Sequence, residues 1–186
     1  MGQFAEYQPR GRRAGTPAEA LVAVGVRAAT TADIDAIARV QEAAGRVAHR
    51  EAWRRAITDP ERCVLVAEEP GGGTVVGWAQ THHHTDPQDA APAGHYLGGV
   101  TVDPQWRRRG VAVALTEARL RWVAGRVDEV FYVVNPSNRA SIDLHHRWGF
   151  EEVLRADRLT GVPFTGGTGI LMRAELRGQE SSGRSV

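Results

Sequence analysis

Between Val100 and Leu115 the chain reads Val-Thr-Val-Asp-Pro-Gln-Trp-Arg-Arg-Arg-Gly-Val-Ala-Val-Ala-Leu and changes its periodicity once. That change constrains the fold more than any other feature. The first residues are β-branched and alternate as a strand does, and Asp103-Pro104 turns the chain. Three arginines and a glycine follow, and from Gly110 the apolar residues recur at helical spacing. A strand that runs through a basic turn into a helix is also a place for an anion. Amides of a first helical turn have no partner inside the helix, and the helix dipole favours negative charge there. Gly110 lets backbone approach a ligand closely, and the guanidinium fork matches phosphate oxygens. Two readings fit this stretch by itself: a pyrophosphate cradle, or a solvated basic turn in which Gly110 only bends the chain.

The neighbouring segments extend the unit. Glu129 to Val134 reads as a strand covered on both faces. With the strand His95 to Val102 and the helix Gly110 to about Arg126 it completes a β-α-β unit, so the two strands are expected to be parallel neighbours. Val111, Leu115, Ala118 and Trp122 form the expected buried stripe of the helix. Gly98-Gly99 inside the first strand suggests a bulge or a close backbone approach.

Upstream, Leu21 to Ala28 alternates as a strand, and Thr30 or Thr31 starts a helix that continues to about Gly45. A second helix covers roughly Arg50 to Thr58. Cys63 to Glu68 and Thr74 to Thr81 form a hairpin around Pro70-Gly71-Gly72-Gly73, and His82 to Gly94 reads as a polar loop. Downstream, a short helix is expected from about Arg139 to Trp148, then strands at Glu152 to Leu159 and Gly169 to Leu176. Residues 1–20 read as a loose arm and 177–186 as a polar tail around one domain, 21–176.

A net charge of +1 supplies no global field for nucleic acid or an anionic membrane, so the arginines must act locally. No apolar run approaches a membrane span, and no apolar signal core opens the chain. The one cysteine, Cys63, sits in an apolar run and reads as a buried, inert thiol in a reducing cytoplasm.

A second informative stretch runs from Asn135 to Phe150. On a helical wheel Asn138, Ser141 and His145 share one narrow arc, flanked by Leu144 and Trp148. Asn138 also suits a helix N-cap, and His145 also suits a half-buried structural histidine.

Taken together, Arg107-x-x-Gly110-x-Ala112 and Asn138-x-Ala140-Ser141, followed by His145 and Gly149-Phe150, resemble the GNAT superfamily of acetyl-CoA-dependent N-acetyltransferases. The resemblance runs from about Val26 to Met172. It implies a mixed α/β domain whose central, mostly antiparallel sheet holds one splayed parallel strand pair and is flanked by helices. It also implies that acetyl-CoA is the cosubstrate and a primary amine of a small molecule, an antibiotic or a metabolite, the acceptor. Val100, Thr101 and Val102 would line the pantetheine arm; Arg107, Arg108, Arg109, Gly110, Val111 and Ala112 would hold the diphosphate; Asn138 and Ser141 would complete cofactor binding. The thioester oxygen would meet a backbone amide near Gly99 or Val100, a small oxyanion site worth about 3 kcal/mol. Many family members carry Tyr where this chain has His145, a departure more similar to the phosphinothricin-type antibiotic acetyltransferases. His145, or a water, would then reprotonate the CoA thiolate.

The family's usual base is a Glu on the preceding strand. This chain has none there and offers His95, which also suits a structural role. Protein N-terminal or lysine acetylation, or CoA sensing without turnover, remain alternative functions, and exposed strands leave room for a homodimer. His82-His83-His84 invites a metal, but adjacent strand residues point to opposite faces and no further ligand completes a spacing, so no metal site is expected. Lining the acceptor pocket suits that tract better. Trp53, Trp78 and Phe164 read by default as core.

Overall fold

The computed structural model describes residues 23–164 and 166–176; the expected arm, the expected tail and the first residues of the expected Leu21 to Ala28 strand lie outside them. The chain runs β1 (Gly25–Ala28), α1 (Ile34–Ala43), α2 (Arg50–Thr58), β2 (Val64–Glu68), β3 (Val75–His84) and β4 (Gly94–Val102). It continues through α3 (Val111–Ala124), β5 (Glu129–Val134), α4 (Arg139–His145), β6 (Glu151–Ala156), β7 (Arg158–Leu159), β8 (Val162–Pro163) and β9 (Gly169–Glu175). Seven strands form one sheet in the order β1-β2-β3-β4-β5-β9-β6, and β7 and β8 form a separate hairpin. β4 and β5 pair in parallel, with Tyr96 opposite Phe131. The pairs β1–β2, β2–β3, β5–β9 and β6–β9 are antiparallel. This is the mixed α/β architecture expected from the sequence.

Contacts divide the chain into two compact units. One contains the described residues up to Thr81 with Gly99–Arg119; the other contains His82–Gly98 and the described residues from Leu120 on.

In the first unit α1 begins where Asp33 accepts the Thr30 amide at 2.7 Å and the Thr30 hydroxyl at 3.0 Å. Arg27 binds the same carboxylate through two bonds of 2.8 Å, and that guanidinium holds Asp33 well below the usual carboxylate range. Ile34, Ile37, Ala38 and Val40 form the buried face of α1. They join Trp53 of α2, Val64 and Val66 of β2 and Trp78 of β3 in one core. Trp53 and Trp78 meet edge to face with centroids 5.1 Å apart, an arrangement favourable for aromatic quadrupoles.

α3 lies close on β3 because position 77 is glycine. A Cβ there would stand 2.8 Å from Val111 Cγ1 and 3.2 Å from Leu115 Cδ1. Val111 is β-branched and buried, so it has little freedom to move aside. Gly77→Val is expected to lower unfolding stability by about 3 kcal/mol, read from urea denaturation. An unchanged midpoint would show that α3 does not press on β3.

The buried stripe of α3 differs from the expected one. Val111 and Leu115 are buried as read, but Thr116, Arg119, Leu120 and Val123 continue the stripe, while Ala118 and Trp122 are half-buried. Arg119 is 0% exposed; it donates to the Gln80 carbonyl at 3.2 Å and to Thr116 Oγ1 at 3.0 Å, and burial pushes its guanidinium down to about 9. A charged letter on a helix reads as solvent-facing, which is why the stripe was misplaced by sequence.

In the second unit Leu97, Leu120, Val123, Val130, Tyr132 and Phe150 share one core with Ile170 and Met172. Tyr96, Phe131, Leu159 and Leu171 form another, against which Phe164 packs. Two boundaries moved. β3 runs on to His84, where a loop was expected from His82. Its imidazoles are half-buried and stacked, His82 with His84 and His84 edge-on to Tyr96, so they occupy a strand as aromatic rings do. The expected Glu152 to Leu159 strand breaks after Ala156, and β7 turns into β8 through Thr160 and Gly161, both left-handed.

Candidate active site

The turn after β4 and the start of α3 lie in the first unit. Asp103 accepts the Gln105 amide at 3.0 Å and caps one short turn, Pro104–Trp106. The backbone then enters the left-handed region at Arg108 (φ 64°) and again at Gly110 (φ 87°). Glycine meets that requirement at no steric cost; arginine does so rarely. The Gly110 carbonyl accepts the Ala114 amide at 3.0 Å, which starts the helical ladder. By helix geometry the amides of Val111, Ala112 and Val113 lie ahead of that ladder and project from the N-terminus of a 14-residue helix. Arg107 and Arg108 are exposed, and Arg109 lies 5.2 Å over the Trp106 ring. Among the described residues, neither Arg107 nor Arg108 has an ion-pair partner, whereas Arg27, Arg39, Arg50 and Arg173 do. The basic turn thus concentrates positive charge that has no acidic partner among the described residues, ahead of amides that lie outside the helical ladder, which is what an anion site requires.

Within β4, Thr101 is buried and its side chain is already engaged: it donates to Gln41 Oε1 at 2.8 Å and accepts from Arg46 at 3.2 Å. The Thr101 hydroxyl is therefore committed to Gln41 and Arg46. Sequence reading missed Gln41 and Arg46, because they lie about 60 residues from Thr101 and no local pattern links them.

The second unit holds the other candidates. Asn138 Oδ1 accepts the Ser141 amide at 3.3 Å and caps α4, and Gly149 (φ 73°) ends the following turn His146–Trp148. His145 is 4% exposed. Its Nδ1 lies 2.8 Å from the Ser141 carbonyl, so Nδ1 carries the proton and donates it. The ring stacks on Tyr132 at 4.1 Å and meets Phe150 edge-on at 5.4 Å. Asn138, Ser141 and His145 thus follow one another along one side of a short helix, as the wheel requires.

Tyr132, inside the expected Glu129 to Val134 strand, is a further polar group that no sequence motif singles out. Its hydroxyl is buried with no hydrogen-bond partner among the described residues, and burial pushes its acidity well below that of a free phenol. Tyr132→Phe should leave stability unchanged or raise it by about 1 kcal/mol, since it removes an unpaired buried dipole. A loss of more than about 1 kcal/mol in chemical denaturation would mean that the hydroxyl is bonded.

His95 is also buried. It stacks on His83 at 4.5 Å and meets Trp122 edge-on at 5.6 Å. It lines a cavity of about 380 Å³ together with Gly94, Arg126, Asp128, Glu129 and Phe131. His83 therefore faces His95 while His82 and His84 share the face of Tyr96, which is the alternation expected of adjacent strand residues. Among the described residues, no helix is long and apolar enough to cross a membrane.

Residues 31–150 match the family model described as acetyltransferase (GNAT) family. The chain is 33% identical over 87 residues to the aminoglycoside N(6')-acetyltransferase type 1 of Salmonella typhimurium, a match covering 45% of this chain and 59% of that protein. The chain thus spans somewhat over half the length of the curated relatives it matches. Its fold is similar to the ribosomal-protein-S18-alanine N-acetyltransferase from Escherichia coli, with a TM-score of 0.65, 20% identity, and 87% and 99% of the two chains covered. It is likewise similar to a GNAT superfamily phosphinothricin acetyltransferase from Sinorhizobium meliloti in complex with AcCoA, with a TM-score of 0.63, 18% identity, and 88% and 93% covered. At these identities the two structures speak to the fold alone.

Proposed function

The chain belongs to the acetyltransferase (GNAT) family, and on that premise we propose that it transfers an acetyl group from acetyl-CoA to a primary amine of a small molecule, an antibiotic or a metabolite, by direct attack. The observation that carries this reading is the left-handed turn at Arg108 and Gly110 feeding the amides of α3 beside arginines that have no acidic partner among the described residues. The stretch shared with the aminoglycoside acetyltransferase supports an amine as acceptor.

In this reading Arg107, Arg108 and Arg109 with the amides of Gly110, Val111 and Ala112 hold the diphosphate. The backbone of Val100, Thr101 and Val102 pairs with the pantetheine amides as an added strand would, and Asn138 and Ser141 complete the grip. The acceptor nitrogen must arrive neutral, and His95 takes the proton that the amine loses. The nitrogen attacks the thioester carbon, the carbon–sulfur bond breaks, and the sulfur leaves as thiolate. His145 Nε2, carrying a proton, returns it to that sulfur, so amide and free thiol are the two products. The enzyme acts in the cytoplasm, in keeping with a single buried cysteine, and its domain spans 21–176.

The test is release of free thiol from acetyl-CoA across a panel of aminoglycosides, polyamines, amino acids and peptides. Amine-dependent release with one small-molecule class is the expected result. Release only with peptides would move the acceptor to proteins, and tight acetyl-CoA binding without release would make the chain a sensor.

A further inference from the structure

We infer that Arg46, in the segment between α1 and α2, is a second guanidinium for the phosphates of the bound cosubstrate, acting together with Arg107. This rests on the acetyl-CoA reading above and extends it to a residue outside both sequence motifs.

The position of Arg46 is built by the end of α1. Gly45 is left-handed (φ 72°), its amide bonds the Glu42 carbonyl at 2.9 Å, and the Arg46 amide bonds the Gln41 carbonyl at 3.0 Å. These two bonds form a Schellman motif, which fixes the direction in which the chain leaves the helix. The Arg46 side chain is half-buried and donates to Thr101 Oγ1 at 3.2 Å. Thr101 donates in turn to Gln41 Oε1 at 2.8 Å, and Gln41 also accepts the Trp78 indole N–H at 3.2 Å and donates to the Val47 carbonyl at 3.3 Å. Arg46 is therefore held by a connected network at the strand end that leads into the basic turn. Its order is already established before any ligand arrives.

What the network does not supply is a negative charge. Among the described residues no carboxylate pairs with Arg46 or with Arg107, although exposed arginines such as Arg50, Arg54 and Arg155 each have one. Arg46 is held below the usual arginine range by burial first and by the positive charge of Arg107 second. Two guanidiniums of like charge, one partly desolvated and bonded to the strand that leads into the turn carrying the other, are unfavourable until an anion sits beside both. A diphosphate meets that need with bidentate, charge-assisted bonds. An anionic group on the acceptor has the same chemistry, and the experiment separates the two.

Steady-state kinetics would compare the intact chain with Arg46→Ala and Arg46→Lys, using acetyl-CoA and acetyl-pantetheine, which lacks the diphosphate, as donors. Arg46→Ala is expected to raise KM for acetyl-CoA about thirtyfold, with kcat within about threefold, and to leave KM for acetyl-pantetheine unchanged. Arg46→Lys should recover part of the affinity, because it keeps the charge and loses the fork. Equal losses with both donors, a rise confined to the acceptor KM, or no change would each overturn the assignment. A wild-type chain that binds no acetyl-CoA would instead sink the acetyltransferase reading itself.

Discussion

Gly110→Glu is expected to weaken acetyl-CoA binding at least about a hundredfold, measured by calorimetry on folded protein. Three effects act in one direction. Gly110 sits at φ 87°, where a residue with a Cβ is strained by about 1–2 kcal/mol. The side chain would occupy the space that backbone leaves for a ligand. Its carboxylate would face the diphosphate across the first turn of α3, cancelling the positive end of the helix dipole. Gly110→Ala separates these contributions, since it carries the strain without the charge or most of the bulk. It should lose about tenfold, because the strained turn relaxes away from the geometry that presents the amides. Tight binding by the glutamate variant would show that the diphosphate lies elsewhere.

His145→Ala is expected to lower kcat about a hundredfold and to leave acetyl-CoA affinity within about threefold, the split expected of a proton donor used in the transition state. The alanine also opens a void beside Tyr132 and Phe150, so stability falls as well. His145→Phe resolves that ambiguity by keeping a ring in the stack while removing both nitrogens. The same fall in kcat with the phenylalanine assigns the effect to proton transfer. Turnover retained by the phenylalanine variant would pass that role to water or to another group.

Much of the frame could be read from residue pattern, because the relevant physics is local. The change of period at Asp103-Pro104, the apolar run at Glu129 to Val134 and the Asn138 cap each declare an element within a few residues, and each element is present. Reading failed where tertiary contact decided the outcome. His82 to His84 look like a loop because imidazole is polar, yet their rings stack across the sheet and β3 continues through them. Arg119 looks solvent-facing, yet the Gln80 carbonyl and Thr116 hydroxyl let it lie fully buried. The strand expected at Glu152 to Leu159 runs too long because its break, at Asp157 between Ala156 and Arg158, carries no glycine or proline to signal it.

The candidate site shows the same division. Gly110 and Arg107 announce an anion by composition and order. Arg46 does not, since its relevance comes only from a helix end that aims it at Thr101. Tyr132 likewise carries no signal in the sequence, since its hydroxyl matters only because it is buried with no partner among the described residues.

The most direct test of the diphosphate grip is hydrogen exchange at the backbone amides of residues 110–113, in the free chain and with acetyl-CoA or acetyl-pantetheine at matched occupancy. The expected result is strong slowing of those amides with acetyl-CoA and little with acetyl-pantetheine. Saturating acetyl-CoA that leaves them exchanging as fast as in the free chain would contradict the claim that the start of α3 holds the cosubstrate.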